Sequence, residues 1–553
     1  MKRLNWRLTG IALIGLICLG LVTDVSDNLY EISKNLDIFG RLYREVNTLY
    51  VDETQPTRLM RTGIDAMLGT LDPYTTFISE DEAEEVTFMS TGQYAGVGAL
   101  VGRRDGRIVI LETYEGYPAD RAGLRPGDQL LGVDTVTFNE RTQVADVRLL
   151  LRGTQGSGVS IRFLRQGEPA ARTVALSRDQ IKINNVPYAG MLDAETGYIV
   201  LTGFTQDASL EVTQALKTLR AAHPALKSLV LDLRDNPGGR LDEAIRVANV
   251  FIPQQERIVE TRGRLEGSQK TYLATQPAAD AEIPLVVLIN ARTASAAEIV
   301  AGAVQDLDRG VIMGEKSFGK GLVQNIRQLS YNTQLKITTA KYYTPSGRCI
   351  QAIDYADRNA QGDATRIPDS LRQAFKTRNG RMVYDGGGIE PDLPALAPAL
   401  APVTRELERQ GVIFDFVTRF MASHPALTVN REYQVDDNTF QAFIAYVKER
   451  KFSYQTPVSA EYEALRAAAQ AEQPDATWSP ALEAIGTRLA SLHAEEIARH
   501  RAEIEARIRR EMLARHLYKK GEIEAGLGTD PVLLAAAALL HDTGRYRQLL
   551  TKP

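Results

Sequence analysis

Leu285-Val-Val-Leu-Ile-Asn-Ala-Arg-Thr-Ala-Ser-Ala-Ala-Glu-Ile-Val-Ala-Gly-Ala-Val-Gln-Asp-Leu307 changes character in mid-course. Its first five residues are apolar with no polar alternation, which predicts a strand covered on both faces, as in a parallel sheet between helical layers. From Ala296 to Leu307 the residues suit a helix, so a strand runs almost directly into a helix. The same alternation extends outward from this segment. Tyr198–Leu201 reads as a strand, and Leu210–Leu219 as a helix with Val212, Leu216 and Leu219 on one face. Leu229–Leu233 is a second apolar strand, followed by a glycine turn and the helix Leu241–Val250; Val311–Met313 is again strand-like. Residues 181–400 are therefore expected to form a layered α/β domain with a largely parallel sheet.

The flanks differ. Residues 86–180 carry short strands (Arg107–Leu111, Val159–Leu164), a Gly123 stop with a Pro126-Gly127 turn, and an amphipathic helix through Val144, Val147, Leu150 and Leu151. That pattern predicts a compact α+β module. Residues 25–85 read as helical, with Ile38, Leu42, Val46 and Leu49 at helical spacing, until Asp72-Pro73 breaks the pattern. An Ala/Pro linker, Ala395–Pro402, leads into a helical and increasingly charged stretch over 401–553. Glu503 and Arg507 illustrate its spacing, which suits a solvated helix face better than a partner-binding coiled coil.

At the N-terminus, Lys2, Arg3 and Arg7 precede the apolar run 8–22. Positive charge followed by a short apolar core predicts a signal peptide or signal-anchor over 1–24, since a bilayer span needs roughly 20 apolar residues. The expected location is outside the cytoplasm, periplasmic or held at the cytoplasmic membrane facing outward. Of two cysteines, Cys18 and Cys349, the first lies in that segment, so no disulfide is expected. The chain has 553 residues, too many for one core, and a net charge of -4, which gives no general attraction to nucleic acid.

Chemistry enters at Ser295, where strand 285–289 passes into a helix. Groups at the carboxyl ends of strands line the sites of open α/β sheets, and the first helical turn supplies free N–H groups. Taken alone, Ser295 is an ordinary N-cap. A serine nucleophile needs a base, and of six histidines only His223 falls in the α/β region, at the end of a helix. Lysine is the alternative if its amine is neutral. Lys320 qualifies, flanked by Gly319 and Gly321, with Gln324 four residues on to hold an amine without adding charge; Lys316 competes. Leu233-Arg-Asp-Asn-Pro-Gly-Gly239 lies at another strand end, and its glycines allow N–H groups to converge. The N–H groups of Gly239 and Ala296 are assigned to an oxyanion hole.

These segments occur together in one known family. Leu71-Asp-Pro-Tyr-Thr75, Gly96-Val-Gly98, Leu233–Gly239, Thr293-Ala-Ser-Ala-Ala-Glu298, Gly319-Lys-Gly-Leu-Val-Gln324, Lys341–Arg348 and Gly388-Ile-Glu-Pro-Asp392 follow one another in its order. On them the chain resembles the C-terminal processing (tail-specific) peptidases over about residues 40–395. The resemblance implies Ser295 as nucleophile, Lys320 as general base and Gln324 as orienting residue. It implies that 86–180 is a PDZ domain inserted in a crotonase-like α/β peptidase core, with a helical N-terminal segment and a helical C-terminal domain. Gly96, Val97, Gly98 and Ala99 would bind a substrate's terminal carboxylate, and Leu100-Val101 would pair with the tail. Arg152, grouped with these peptide-binding residues, resembles an arginine that helps activate the protease in some relatives; a salt-bridged surface arginine is the other reading.

The expected activity is endopeptidase cleavage near the C-termini of exported proteins, with no cofactor or metal. The expected partners are protein substrates with free C-terminal tails and no nucleic acid; anchoring through 8–22 and homo-oligomer formation stay open. Two rivals are a non-catalytic tail-binding scaffold, disfavoured by the intact Ser295, Lys320 and Gln324, and an acyl-CoA enzyme of the crotonase class, disfavoured by the PDZ-like insertion and the export signal.

Overall fold

The computed structural model describes residues 29–265, 267–359, 361–472 and 478–551. The segments 1–24 and 8–22, with Cys18, lie outside them. Among the described residues no helix is long and apolar enough to cross a membrane, and Cys349 is a free thiol. The chain divides into two units, one of residues up to 78 with 326–337, the other of 79–325 with 338–553.

The larger unit is organised by a six-stranded sheet. Its strands lie side by side in the order Tyr188–Met191, Thr196–Val200, Ser228–Asp232, Leu285–Ile289, Val311–Gly314 and Leu393–Pro394; the first is antiparallel to its neighbour and the rest are parallel. The apolar runs are continuous because both faces are covered. Leu285, Val287 and Ile289 point into a cluster with the helices Ala208–Ala222, Leu241–Phe251 and Ala296–Asp306. Val286 and Leu288 point the other way, against Val532, Leu533, Ala536 and Leu540. Those four belong to the helix Pro531–His541. Thus the end of the helical stretch forms a layer on the six-stranded sheet, and Tyr546 completes it by exchanging hydrogen bonds with the backbone of Leu285.

Between Gln93 and Lys182 the chain folds as a compact α+β module. Five strands run in the order Ala99–Arg104, Arg107–Thr113, Gln129–Val133, Gly158–Leu164 and Arg172–Ser177, with Val136–Thr137 added to the third. Their inward side chains, among them Val101, Ile110, Leu130, Ile161 and Phe163, enclose Val147 of the helix Val144–Leu151. Gln93–Gly96 pairs antiparallel with Asp179–Lys182, so the two ends of the module form a stem.

Helices then follow from Pro402 onward around a separate cluster that includes Phe416, Phe440, Phe443, Ile504, Ile508 and Met512. The long helix Arg501–Glu524 is broken at Tyr518, whose φ of 54° is not helical.

In the smaller unit, a helix over 29–49 and the helix Pro56–Gly69 accord with the periodicity. The short strand Thr76–Ile78 does not. The Asp72 carboxylate accepts the N–H groups of Tyr74 and Thr75, both at 2.8 Å, and turns the chain out of helix. The strand then pairs with Gln334–Lys336, a partner too distant in sequence for local periodicity to register.

Candidate active site

Ser295 caps the helix Ala296–Asp306 with φ 55° and ψ −116°. A non-glycine residue persists there only when its surroundings fix it. One constraint is the turn Asp235–Gly239, which follows the neighbouring strand. Ala294 N–H donates to the Asn236 carbonyl at 2.9 Å, and the Thr293 hydroxyl to the Leu233 carbonyl at 2.8 Å. Asn236 is itself buried, its amide donating to the Leu201 carbonyl at 2.7 Å. Gly238, at φ 94°, lies against the serine: a Cβ there would stand 2.8 Å from both Ser295 Cβ and Ala296 N. A Cβ on Gly239 would stand 2.5 Å from the Phe204 carbonyl oxygen. Neither Gly239 N–H nor Ala296 N–H has an acceptor among the described residues, so both are free to face a developing negative charge.

The second constraint is Glu298, fully buried on the first turn of the same helix. One carboxylate oxygen accepts Ser295 N–H at 2.7 Å and Lys320 N–H at 2.9 Å. The other accepts the Ser317 hydroxyl at 2.5 Å and Gly319 N–H at 2.7 Å. The backbones of Ser295 and Lys320 thus hang from a single oxygen. Burial pushes this carboxyl up to about 7, against the lowering effect of its four donors. The Tyr342 hydroxyl, also buried, donates to the Ser295 carbonyl at 3.0 Å and meets the Lys320 carbonyl as well.

Lys320 is half-buried, between Gly319 and Gly321, whose N–H donates to Gln351 Oε1 at 2.7 Å. Gln324 stands on the strand Leu322–Gln328, its amide donating to the Thr338 hydroxyl at 3.2 Å. The competing bases have other occupations. Lys316 is paired with Glu390 at 3.1 Å, and His223 is an exposed C-cap residue of the helix Ala208–Ala222. Among the described residues no group of three His, Cys, Asp or Glu side chains could hold a metal ion.

In the inserted module, Gly96 closes the stem strand, Val97 is buried in the module's core, Gly98 has φ 76°, and Ala99 begins the outer strand. A Cβ on Gly98 would stand 2.5 Å from Tyr117 Cβ. The N–H groups of Val97 and Gly98 have no acceptor among the described residues. Ala99–Arg104 is an edge strand, paired among the described residues only with Arg107–Thr113. Arg152 points into the stem region: it pairs with Glu85 at 2.9 Å and lies over the rings of Phe88 and Tyr94.

Two residues of the site received no role from the sequence. Glu298 carried a usable signal, because Ser-x-x-Glu ahead of an apolar run is a helix-start pattern. Tyr342 carried none, since its contact depends on a strand 47 positions from Ser295.

Known proteins match this arrangement module by module. The profile of Peptidase family S41 matches residues 195–356, that of a PDZ domain 109–165, and that of the C-terminal helical domain of probable PDZ-proteases 403–540. The carboxy-terminal-processing protease of Bartonella bacilliformis is 36% identical over 335 residues, 60% of this chain and 76% of that protein. The carboxyl-terminal-processing protease of a Synechocystis species is 36% identical over 337 residues, 56% of this chain and 77% of that one. Among solved structures, the photosystem II D1 C-terminal processing protease is 27% identical, with 65% of this chain and 92% of that one covered and a TM-score of 0.35. The class is that of serine-type peptidases carrying a PDZ domain and a helical C-terminal domain. Within that class, the chain belongs to the carboxy-terminal-processing proteases.

Proposed function

We propose that this protein is an exported serine endopeptidase that cuts proteins near their C-termini with a Ser295/Lys320 pair. The neutral amine of Lys320 takes the Ser295 hydroxyl proton as Oγ attacks the scissile carbonyl. The resulting oxyanion is held by Gly239 and Ala296 N–H. Lys320 returns the proton to the leaving amine, and water then hydrolyses the acyl-enzyme, with Gln324 orienting the base. The observation that carries this reading is the shared Glu298 oxygen, which holds Ser295 and Lys320 N–H at 2.7 and 2.9 Å. The ion pair of Lys316 with Glu390, and the exposed helix-end position of His223, weigh against either as base.

The core is read as crotonase-like, because its oxyanion donors are backbone groups of an α/β sheet. The PDZ module is read as the tail receptor. Its open edge strand can add an extended peptide, and the free N–H groups of Val97 and Gly98 suit a terminal carboxylate. Export is supported by the basic and apolar N-terminal sequence.

One experiment tests the reading: cleavage of an unstructured substrate with either a free or an amidated C-terminus by wild type, Ser295→Ala and Lys320→Ala. Both variants should lose activity by at least about 10³-fold, and amidation should raise KM for the wild type. Retained activity in Lys320→Ala would remove the lysine as base, and equal handling of the two termini would remove tail recognition.

A further inference from the structure

Ser295 and Lys320 belong to different turns, 25 positions apart, and the Tyr342 hydroxyl is within hydrogen-bond reach of the carbonyls of both. Tyr342 comes from a third element, the strand Gln334–Tyr343. The residue is 1% exposed and belongs to the main core cluster, which also includes Ile299, Val300 and Ile350. Its N–H donates to the Gly321 carbonyl at 2.9 Å, one residue beyond Lys320. Both the ring and the backbone of Tyr342 are therefore fixed before the hydroxyl is counted. A buried phenol normally finds a partner at its polar tip, and here the partners are the peptide groups of the two residues that must meet.

The arrangement complements that of Glu298. The carboxylate gathers the N–H groups of Ser295 and Lys320, and the phenol gathers their carbonyls. Ser295 is thereby held on both sides of its Cα, which accounts for a backbone conformation that a free chain avoids. Small displacements of paired reacting groups cost large factors in rate, so a group that sets the register of the two turns acts on turnover without touching a reacting atom.

We propose that Tyr342 is a positioning residue that locks the nucleophile turn and the lysine loop into one register. This inference rests on Ser295 and Lys320 being the catalytic pair. The phenylalanine variant keeps the ring and its packing and removes only the hydroxyl.

The test is Tyr342→Phe in the full-length protein, assayed beside wild type and Ser295→Ala. A serine-reactive phosphonate titrates the active sites, and turnover is expressed per labelled site. Tyr342→Phe should lower kcat per labelled site and the rate of phosphonate labelling together, by about tenfold, with KM within twofold of wild type. A merely structural role would instead reduce the number of sites that label while leaving each at its normal rate. Turnover and labelling rate per site within twofold of wild type would overturn the proposal. Labelling that persists in Ser295→Ala would overturn the catalytic pair itself, a failure recognisable independently of Tyr342.

Discussion

Glu298 accepts four hydrogen bonds, and every one comes from the backbone or side chain of the two turns that carry the proposed Ser295/Lys320 pair. A proton on that carboxyl would compete with one of these donors. Burial raises the carboxyl from 4.5 to about 7, so activity should fall as pH drops through the neutral range, in the same direction as protonation of a lysine base. Stability should move oppositely. Between pH 4.5 and 7 the folded chain keeps a proton that the unfolded chain has released, so this group makes folding less favourable as pH rises through that window. The total effect is roughly 3 kcal/mol. Glu298→Gln should lose at least tenfold in kcat at pH 8 and abolish that contribution, so the stability difference between wild type and variant should change across the window. Parallel pH–stability curves, measured by denaturant unfolding, would contradict it. The serine, the lysine and the glycines of the turn could be proposed from the sequence because each is a residue type that the proposed chemistry requires. Glu298 looked like a cap and is one, but its second oxygen serves Gly319 and Ser317, which no local pattern could announce.

The helix Ala296–Asp306 is held as firmly at its far end as at Ser295. Asp306 is paired with Arg348 at 2.8 Å, both fully buried, and also accepts Ser346 N–H at 2.9 Å. Arg348 further donates to Gln305 Oε1 at 2.7 Å. Removing one partner of a buried pair strands the other, which costs about 3–5 kcal/mol. Arg348→Ala should therefore lower unfolding stability by that amount, and a loss below about 1 kcal/mol would show that water or a neighbour compensates. At this scale the sequence was most informative. Continuous apolar runs identified four strands of the parallel sheet, at 198–201, 229–233, 285–289 and 311–313, because both faces of the sheet are covered; Leu393–Pro394, two residues long, carried no such run. Thr76–Ile78 escaped because an edge of three residues carries too little pattern and its partner lies far along the chain.

The PDZ module is fastened at two places, and one of them is weak. Its stem is a two-stranded ribbon. Its other attachment is to the C-terminal helices: Arg450 to Asp105 at 2.8 Å, the Tyr518 hydroxyl to Asp120 at 2.7 Å, and Arg515 to the Pro126 carbonyl at 2.9 Å. Asp105 is 63% exposed in its side chain, and such pairs contribute about 0–1 kcal/mol. Arg450→Ala combined with Tyr518→Phe should speed hydrogen exchange across 105–128 while leaving cleavage of a short peptide within twofold; unchanged exchange would mean that the stem alone holds the module. The sequence beyond 400 read as helical without marking its separate helices, and their seat on the PDZ module and on the sheet joins positions hundreds of residues apart and left no local trace.

If the edge strand Ala99–Arg104 receives substrate tails as proposed, it has a consequence for which proteins are cut. An edge strand offers backbone groups, and a tail can meet them only when its own are unengaged. A tail paired within its own domain is invisible until it frays, and the fraction frayed falls tenfold for each 1.4 kcal/mol that local structure contributes. On the proposed reading, the rate at which a given substrate is consumed is set as much by the looseness of its own end as by the residues written there.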